Sequence, residues 1–161
     1  QVSDQVKIPV IAAGGIMDGR GLLASLILGA KAVQMGTAFV TCKESGAHDL
    51  HKKAILNSSE EQTVITSAFS GKPARGLNNE FIRIMKDYED DLPPYPIQNI
   101  LTQTIRKEAA KQGKREWMSL WCGQNPRLSQ HITAAELIKM VVNQVENSLK
   151  AMEIQKVNSE K

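Results

Sequence analysis

Residues 8–13, IPVIAA, are an almost unbroken apolar run closed by Gly14-Gly15. Its length and β-branching predict a strand buried on both faces, as in a parallel sheet. The period then changes. Leu22, Leu23, Leu26 and Ile27 recur on one face of a helix predicted over residues 19–28. Asp18 suits its N-cap, and Gly29 suits the left-handed position that ends it. Residues 32–35, AVQM, repeat the first pattern and stop at Gly36-Thr37. Strand, helix and strand in this compass predict a βαβ unit with the two strands parallel and adjacent.

Downstream the apolar period is mostly helical. It predicts helices over residues 45–57, over 79–88 with Phe81, Ile82 and Met85 facing inward, and over 97–112 with Ile97, Ile100, Leu101 and Ile105 on one side. Gly113 ends the last of these. The capping box Thr133-x-x-Glu136 opens a final helix marked by Leu137, Ile138, Val141, Val142, Val145 and Leu149. Between these elements, residues 63–69 read as extended, SGKPARGLNN at 70–79 as a loop, and LPPYP at 92–96 as a break. WMSLWCGQN at 117–125 is an apolar segment running into a loop. The polar C-terminal residues are expected to fray.

Composition narrows the partners. The net charge of +3 is small and scattered, which argues against nucleic acid or a membrane surface. Aromatics make up 4%, too few for a base-stacking platform. The longest apolar stretch, residues 22–30, is too short to span a bilayer, and QVSDQVK lacks the apolar core of a signal peptide. Cys42 and Cys122 form no CxxC pattern and read as reduced thiols, so a cytoplasmic location is expected.

The glycines carry the chemistry. Backbone amides just past a parallel strand, at the mouth of the next helix, suit an anion, and a side chain there would block its approach. Gly14-Gly15 and Gly36, at two adjacent strand ends, would clamp one phosphate from two sides, with Thr37 adding a hydroxyl. Loops after strands 7 and 8 build such a site in many (β/α)8 barrels. The alternative is that these glycines only make tight turns.

IPVIAAGGI with GLLASLILGAKAVQMGTAF resembles the last two βα units of the nitronate monooxygenase (2-nitropropane dioxygenase) family, and SGKPARGLNNEF and WCGQN extend the resemblance to about residue 127. It implies an α/β fold: the C-terminal part of a (β/α)8 TIM barrel at residues 1–60, a mainly helical inserted subdomain at 61–127, and a C-terminal helix and tail at 128–161. It further implies FMN as cofactor, and an alkyl nitronate and O2 as substrates. Gly14, Gly15, Gln34, Met35, Gly36 and Thr37 would then contact the FMN phosphate and ribityl chain, and Gln124 the flavin or the substrate pocket. Arg75 and Asn79 would hold the subdomain together rather than do chemistry. A homo-oligomer stays open.

The departure from the family is one of extent. A full barrel has eight βα units and about 250 residues, and two units are present here. The family's catalytic histidine lies on an earlier strand, so no catalytic residue is assigned in this chain and the base is expected upstream of Gln1. With no initiator methionine and an early strand, the chain is expected to be the C-terminal portion of a longer protein. The alternatives are an FMN-dependent enoyl-ACP reductase-like enzyme, a non-flavin barrel of the inosine-monophosphate dehydrogenase type, and an inactive fragment.

Other residues invite chemistry and have plainer explanations. Glu44, His48 and His51 would line one helix face for a metal, but no further ligands are visible, and a solvated polar face is the expectation. His131, just before the capping box, suits surface or cap duty. Cys42 reads as a packed thiol. Trp117 and Trp121 read as core, with a pocket wall as the alternative.

Overall fold

The computed structural model describes residues 1–159, with side chains to Met152. They form two units: residues 1–45 with 130 onward, and residues 46–129. These boundaries differ from the sequence divisions at 60/61 and 127/128. The final helix belongs with the first unit because it packs on the helix of the βαβ segment.

In the first unit a short helix α1 (Val2–Gln5) precedes β1 (Ile11–Ala13), α2 (Gly19–Ile27) and β2 (Ala32–Gln34). The strands pair in parallel, Ile11 opposite Ala32 and Ala13 opposite Gln34. Asp18 caps α2 through Gly21 N–H, and Gly29 takes φ +97° just past its end, both as the pattern predicts. The strands are shorter than expected and are not buried on both faces. Ile11 is 61% exposed, and among the described residues no third strand joins the pair. Burial of a parallel strand comes from neighbouring strands and covering helices, and the outer edges here have none.

A four-residue helix, α3 (Thr37–Val40), follows β2 directly. The pattern missed both α1 and α3, which are too short to show a period. Helix α7 (Ala134–Ser159) then closes the unit against α2. Its capping box forms as predicted: Glu136 N–H donates to Thr133 Oγ1 at 3.1 Å, and Thr133 N–H to Glu136 Oε2 at 2.7 Å. Leu23, Leu137 and Val141 are buried. Gly19 is required by this contact, since a Cβ there would stand 2.5 Å from Gln144 Cβ and from the Val141 carbonyl oxygen. The expected fraying concerns the tail, whose end lies outside the described residues.

The second unit begins with α4 (Asp49–Leu56), which starts later than predicted because His48 is its N-cap. Strands β3 (Thr63–Thr66) and β4 (Ala74–Leu77) form an antiparallel hairpin, Thr63 opposite Leu77. Residues 74–77 thus correct the reading of 70–79 as a loop: Ala-Arg-Gly-Leu has little β-propensity and is held by pairing on both sides. Leu77 N–H donates to the Leu120 carbonyl at 2.9 Å, Cys122 N–H to that of Arg75 at 3.2 Å, and Gly76 bridges Trp121.

Helix α5 (Glu80–Met85) is capped by buried Asn79, whose Oδ1 accepts from Ile82 N–H at 3.1 Å while its Nδ2 donates to the Met118 carbonyl at 2.8 Å. Phe81 and Ile82 pack inward with Ala68 and Phe69, with Met85 partly buried against them. Phe69 stacks on Phe81 at 4.6 Å and meets the edge of Trp121 at 5.8 Å, and Trp117 meets Phe81 at 5.8 Å. Both tryptophans are therefore packed against the core. Helix α6 (Ile97–Lys111) is where the pattern places it, but its four isoleucine and leucine positions face solvent, while Gln98 and Thr102 are buried.

Candidate functional site

Because Ala13 pairs with Gln34, Gly14-Gly15 and Met35-Gly36 leave the sheet at the same end. Gly14 and Gly15 take φ +110° and +68°, conformations that an L side chain adopts only with strain. Gly36 is different. Its φ of −103° is open to any residue, and a Cβ built on it meets nothing within 4 Å. Neither strain nor packing within the chain asks for glycine there. A Cβ on Gly14 would likewise meet nothing within 4 Å. Both Gly14 and Gly36 therefore border open space that a Cβ would fill.

Amides at the start of α2 are engaged within the chain. Gly19 N–H, at the start of α2, donates to Gln144 Oε1 at 2.7 Å, and Gly21 N–H to Asp18 Oδ1 at 3.0 Å. Burial pushes the Asp18 carboxyl up, but the Gly21 N–H and the Arg20 guanidinium at 2.6 Å outweigh it and hold the group below the usual range. A carboxylate thus occupies the mouth of α2. Gln144 was not foreseen. The one trace of it in the sequence is Gly19, a glycine where no turn is needed.

The first unit brings Gly14, Gly15, Gln34, Met35, Gly36 and Thr37 together at one sheet end. Gln34 is exposed, and Met35 and Thr37 are half-buried. Gln124 belongs to the second unit, on an exposed bend just before Pro126. Arg75 Nη1 donates to Thr63 Oγ1 at 2.9 Å, across the hairpin.

Each histidine ring makes a hydrogen bond to backbone. His48 Nδ1 accepts from Leu50 N–H at 3.2 Å. His51 Nε2 lies 2.9 Å from the Trp121 carbonyl, and burial holds this imidazole below its ordinary pKa, with the Trp121 carbonyl opposing and His48 adding to the effect. His131 Nδ1 lies 3.0 Å from the Thr41 carbonyl. Glu44 accepts from Ala134 N–H at the start of α7, at 3.1 and 3.2 Å. Among the described residues no group of three His, Cys, Asp or Glu side chains stands ready for a metal. Both cysteines are buried free thiols, and no described helix is long and apolar enough to cross a membrane.

Comparison with known proteins extends beyond this site. Residues 1–144 match the family model for nitronate monooxygenase. A probable nitronate monooxygenase of Staphylococcus saprophyticus is 60% identical over 144 residues, covering 89% of this chain and 41% of the relative. Its counterpart in Staphylococcus haemolyticus is 58% identical over 151 residues, covering 92% of this chain and 42% of the relative. Among solved structures, a nitroalkane oxidase from Streptomyces ansochromogenes superposes with a TM-score of 0.87 at 40% identity, over 94% of this chain and 43% of the other. FabK from Thermotoga maritima gives 0.78 at 37% identity, over 94% of this chain and 49% of the other. The chain thus spans about two fifths of the length of these curated relatives. With a family model matched over residues 1–144, the chain belongs to the nitronate monooxygenase family.

Proposed function

We propose that this chain provides the FMN-phosphate-binding part of a cytoplasmic flavoenzyme that oxidises alkyl nitronates with O2, as the last two βα units of a (β/α)8 barrel. The observation that carries the reading is Gly36, a glycine that nothing inside the chain requires, beside Gly14-Gly15 at the same sheet end. In this reading the backbones of Gly14, Gly15 and Gly36 and the Thr37 hydroxyl hold the phosphate. Gln34 and Met35 line the ribityl chain, and Gln124 supplies an amide to the flavin edge or the substrate pocket. Bound FMN would supply the redox chemistry, while the protein fixes its position and surroundings. In this reading the group that takes the substrate proton is supplied by sequence outside this chain.

An FMN-dependent enoyl reductase would use the same cradle. Curated relatives named nitronate monooxygenase at 58–60% identity favour the nitronate reading. The test is Gly36→Val in a protein completed to the relatives' length. Valine is compatible with φ −103°, so the fold should survive while flavin absorbance after purification is lost. Full flavin retention rejects the cradle. Oxygen uptake with a nitronate, set against NAD(P)H oxidation with an enoyl thioester, separates the two activities. The chain alone should bind FMN poorly and show no turnover.

A further inference from the structure

The path of the chain into Gln124 is fixed from two sides. On one side lies β4. Leu77 N–H donates to the Leu120 carbonyl at 2.9 Å, and Cys122 N–H to the Arg75 carbonyl at 3.2 Å. These bonds flank the antiparallel bridge of Gly76 with Trp121. Gly76 permits the approach, since a Cβ there would stand 3.0 Å from the Leu120 carbonyl oxygen and 3.3 Å from the Trp121 ring. In this kind of pair the bridged residue turns its own N–H and carbonyl away from the partner strand. The Trp121 carbonyl is therefore met by a different element. His51, on α4, places Nε2 at 2.9 Å from it. A carbonyl only accepts, so the ring proton sits on Nε2.

We propose that His51 is a positioning residue, which fixes the backbone leading into Gln124 and so sets the direction of the Gln124 amide. The Trp121 carbonyl and the Cys122 N–H belong to one planar peptide unit. His51 holds its oxygen and the Arg75 carbonyl holds its hydrogen, so this plane is clamped at opposite ends. Rotation of the plane would swing the residues beyond it, and Gln124 follows on an exposed bend. The bond to β4 alone leaves that plane free to tilt about one end. His51 takes no proton from the substrate in this account; it acts through Gln124. What the amide meets rests on the flavin reading, which sets Gln124 at the flavin edge or the substrate pocket.

The test uses a protein completed to the relatives' length. His51→Phe and His51→Leu keep apolar bulk and remove the donor, while His51→Gln restores a side-chain N–H. Amide hydrogen exchange at residues 122–124 should quicken about fivefold in the first two, as for the loss of one hydrogen bond, and return to the wild-type rate in His51→Gln. With FMN bound, the same two variants should shift the flavin absorbance spectrum. They should lower kcat about ten- to a hundredfold with the nitronate KM nearly unchanged. In a Gln124→Ala background they should cost little more, because the residue they act through is gone. Unchanged exchange at residues 122–124 overturns the proposal. So does an equal loss of kcat with and without Gln124, or a His51→Gln variant as impaired as His51→Phe. Wild-type protein that takes up no FMN is the failure of the flavin reading and removes the positioning role with it. Full flavin with unaltered exchange and kcat in His51→Phe and His51→Leu fails this inference alone.

Discussion

Phe69 and Ile11 each lie in or beside a short strand, and their surroundings are opposite. Phe69 is 1% exposed, stacked on Phe81 and edged by Trp121. Ile11 stands in a two-stranded parallel sheet with little over it. The second unit is stabilised by its own neighbours: a hairpin, a third backbone segment paired to β4, and an aromatic cluster. The first unit has one well-made contact, α2 on α7, and an apolar cavity of about 250 Å³ lined by β2, α2, α3 and α7 side chains such as Val33, Leu22 and Phe39. An antiparallel hairpin needs only a tight connection, whereas a parallel strand needs neighbours and covering helices before its apolar side chains are buried. Equal hydrophobicity therefore yields unequal burial.

The largest effect that tests this contrast is Phe69→Ala, expected to destabilise the second unit by about 3–5 kcal/mol. Urea unfolding followed by tryptophan fluorescence reports this unit alone, since both tryptophans lie in it. Ile11→Ala should change stability by less than about 0.5 kcal/mol, as for surface sites. A comparable loss at both positions would collapse the distinction. Gly19→Ala comes next, at about 1–3 kcal/mol, because its methyl would overlap the Val141 carbonyl and Gln144. Circular dichroism should record the loss while the tryptophan signal holds. Thr133→Ala removes the N-cap of α7 and should cost about 1 kcal/mol, again seen in helix content.

The smallest effect is one of pH. Burial keeps the His51 pKa below its unfolded value of about 6.5. The unfolded chain therefore takes up this proton first on acidification. The stability His51 contributes is intact above pH 6.5 and declines as pH falls toward its folded pKa. Urea midpoints of the second unit should fall from pH 8 to pH 5, and less so in His51→Gln. An identical slope in that variant would remove His51 as the cause.

What the sequence reveals tracks what is local. The βαβ segment, the Asp18 and Thr133 caps and the Gly29 stop were legible because each depends on residues a few positions apart. Strand β4 was not, because residues 74–77 are extended by partners as distant as Leu120. The stripe on α6 was legible as a period, yet its direction was not. Two polar side chains reach carbonyls some thirty residues away and turn the helix over. At the candidate site the glycines stood out for their position at strand ends, whereas Gln144, 125 residues from Gly19, left no periodic trace.

The discontinuity of the first unit also sets an order of assembly. Gly19 meets Gln144, and Lys43 N–H meets the Ile132 carbonyl at 3.0 Å, across the whole of residues 46–129. During synthesis β1, α2 and β2 are made before residues 46–129, and α7 after them. The second unit, contiguous in sequence, is complete well before α7 is made. The contacts between α2 and α7 therefore form only after the second unit has been translated. The interval between α2 and its partner α7 is thus set by the time taken to translate residues 46–129.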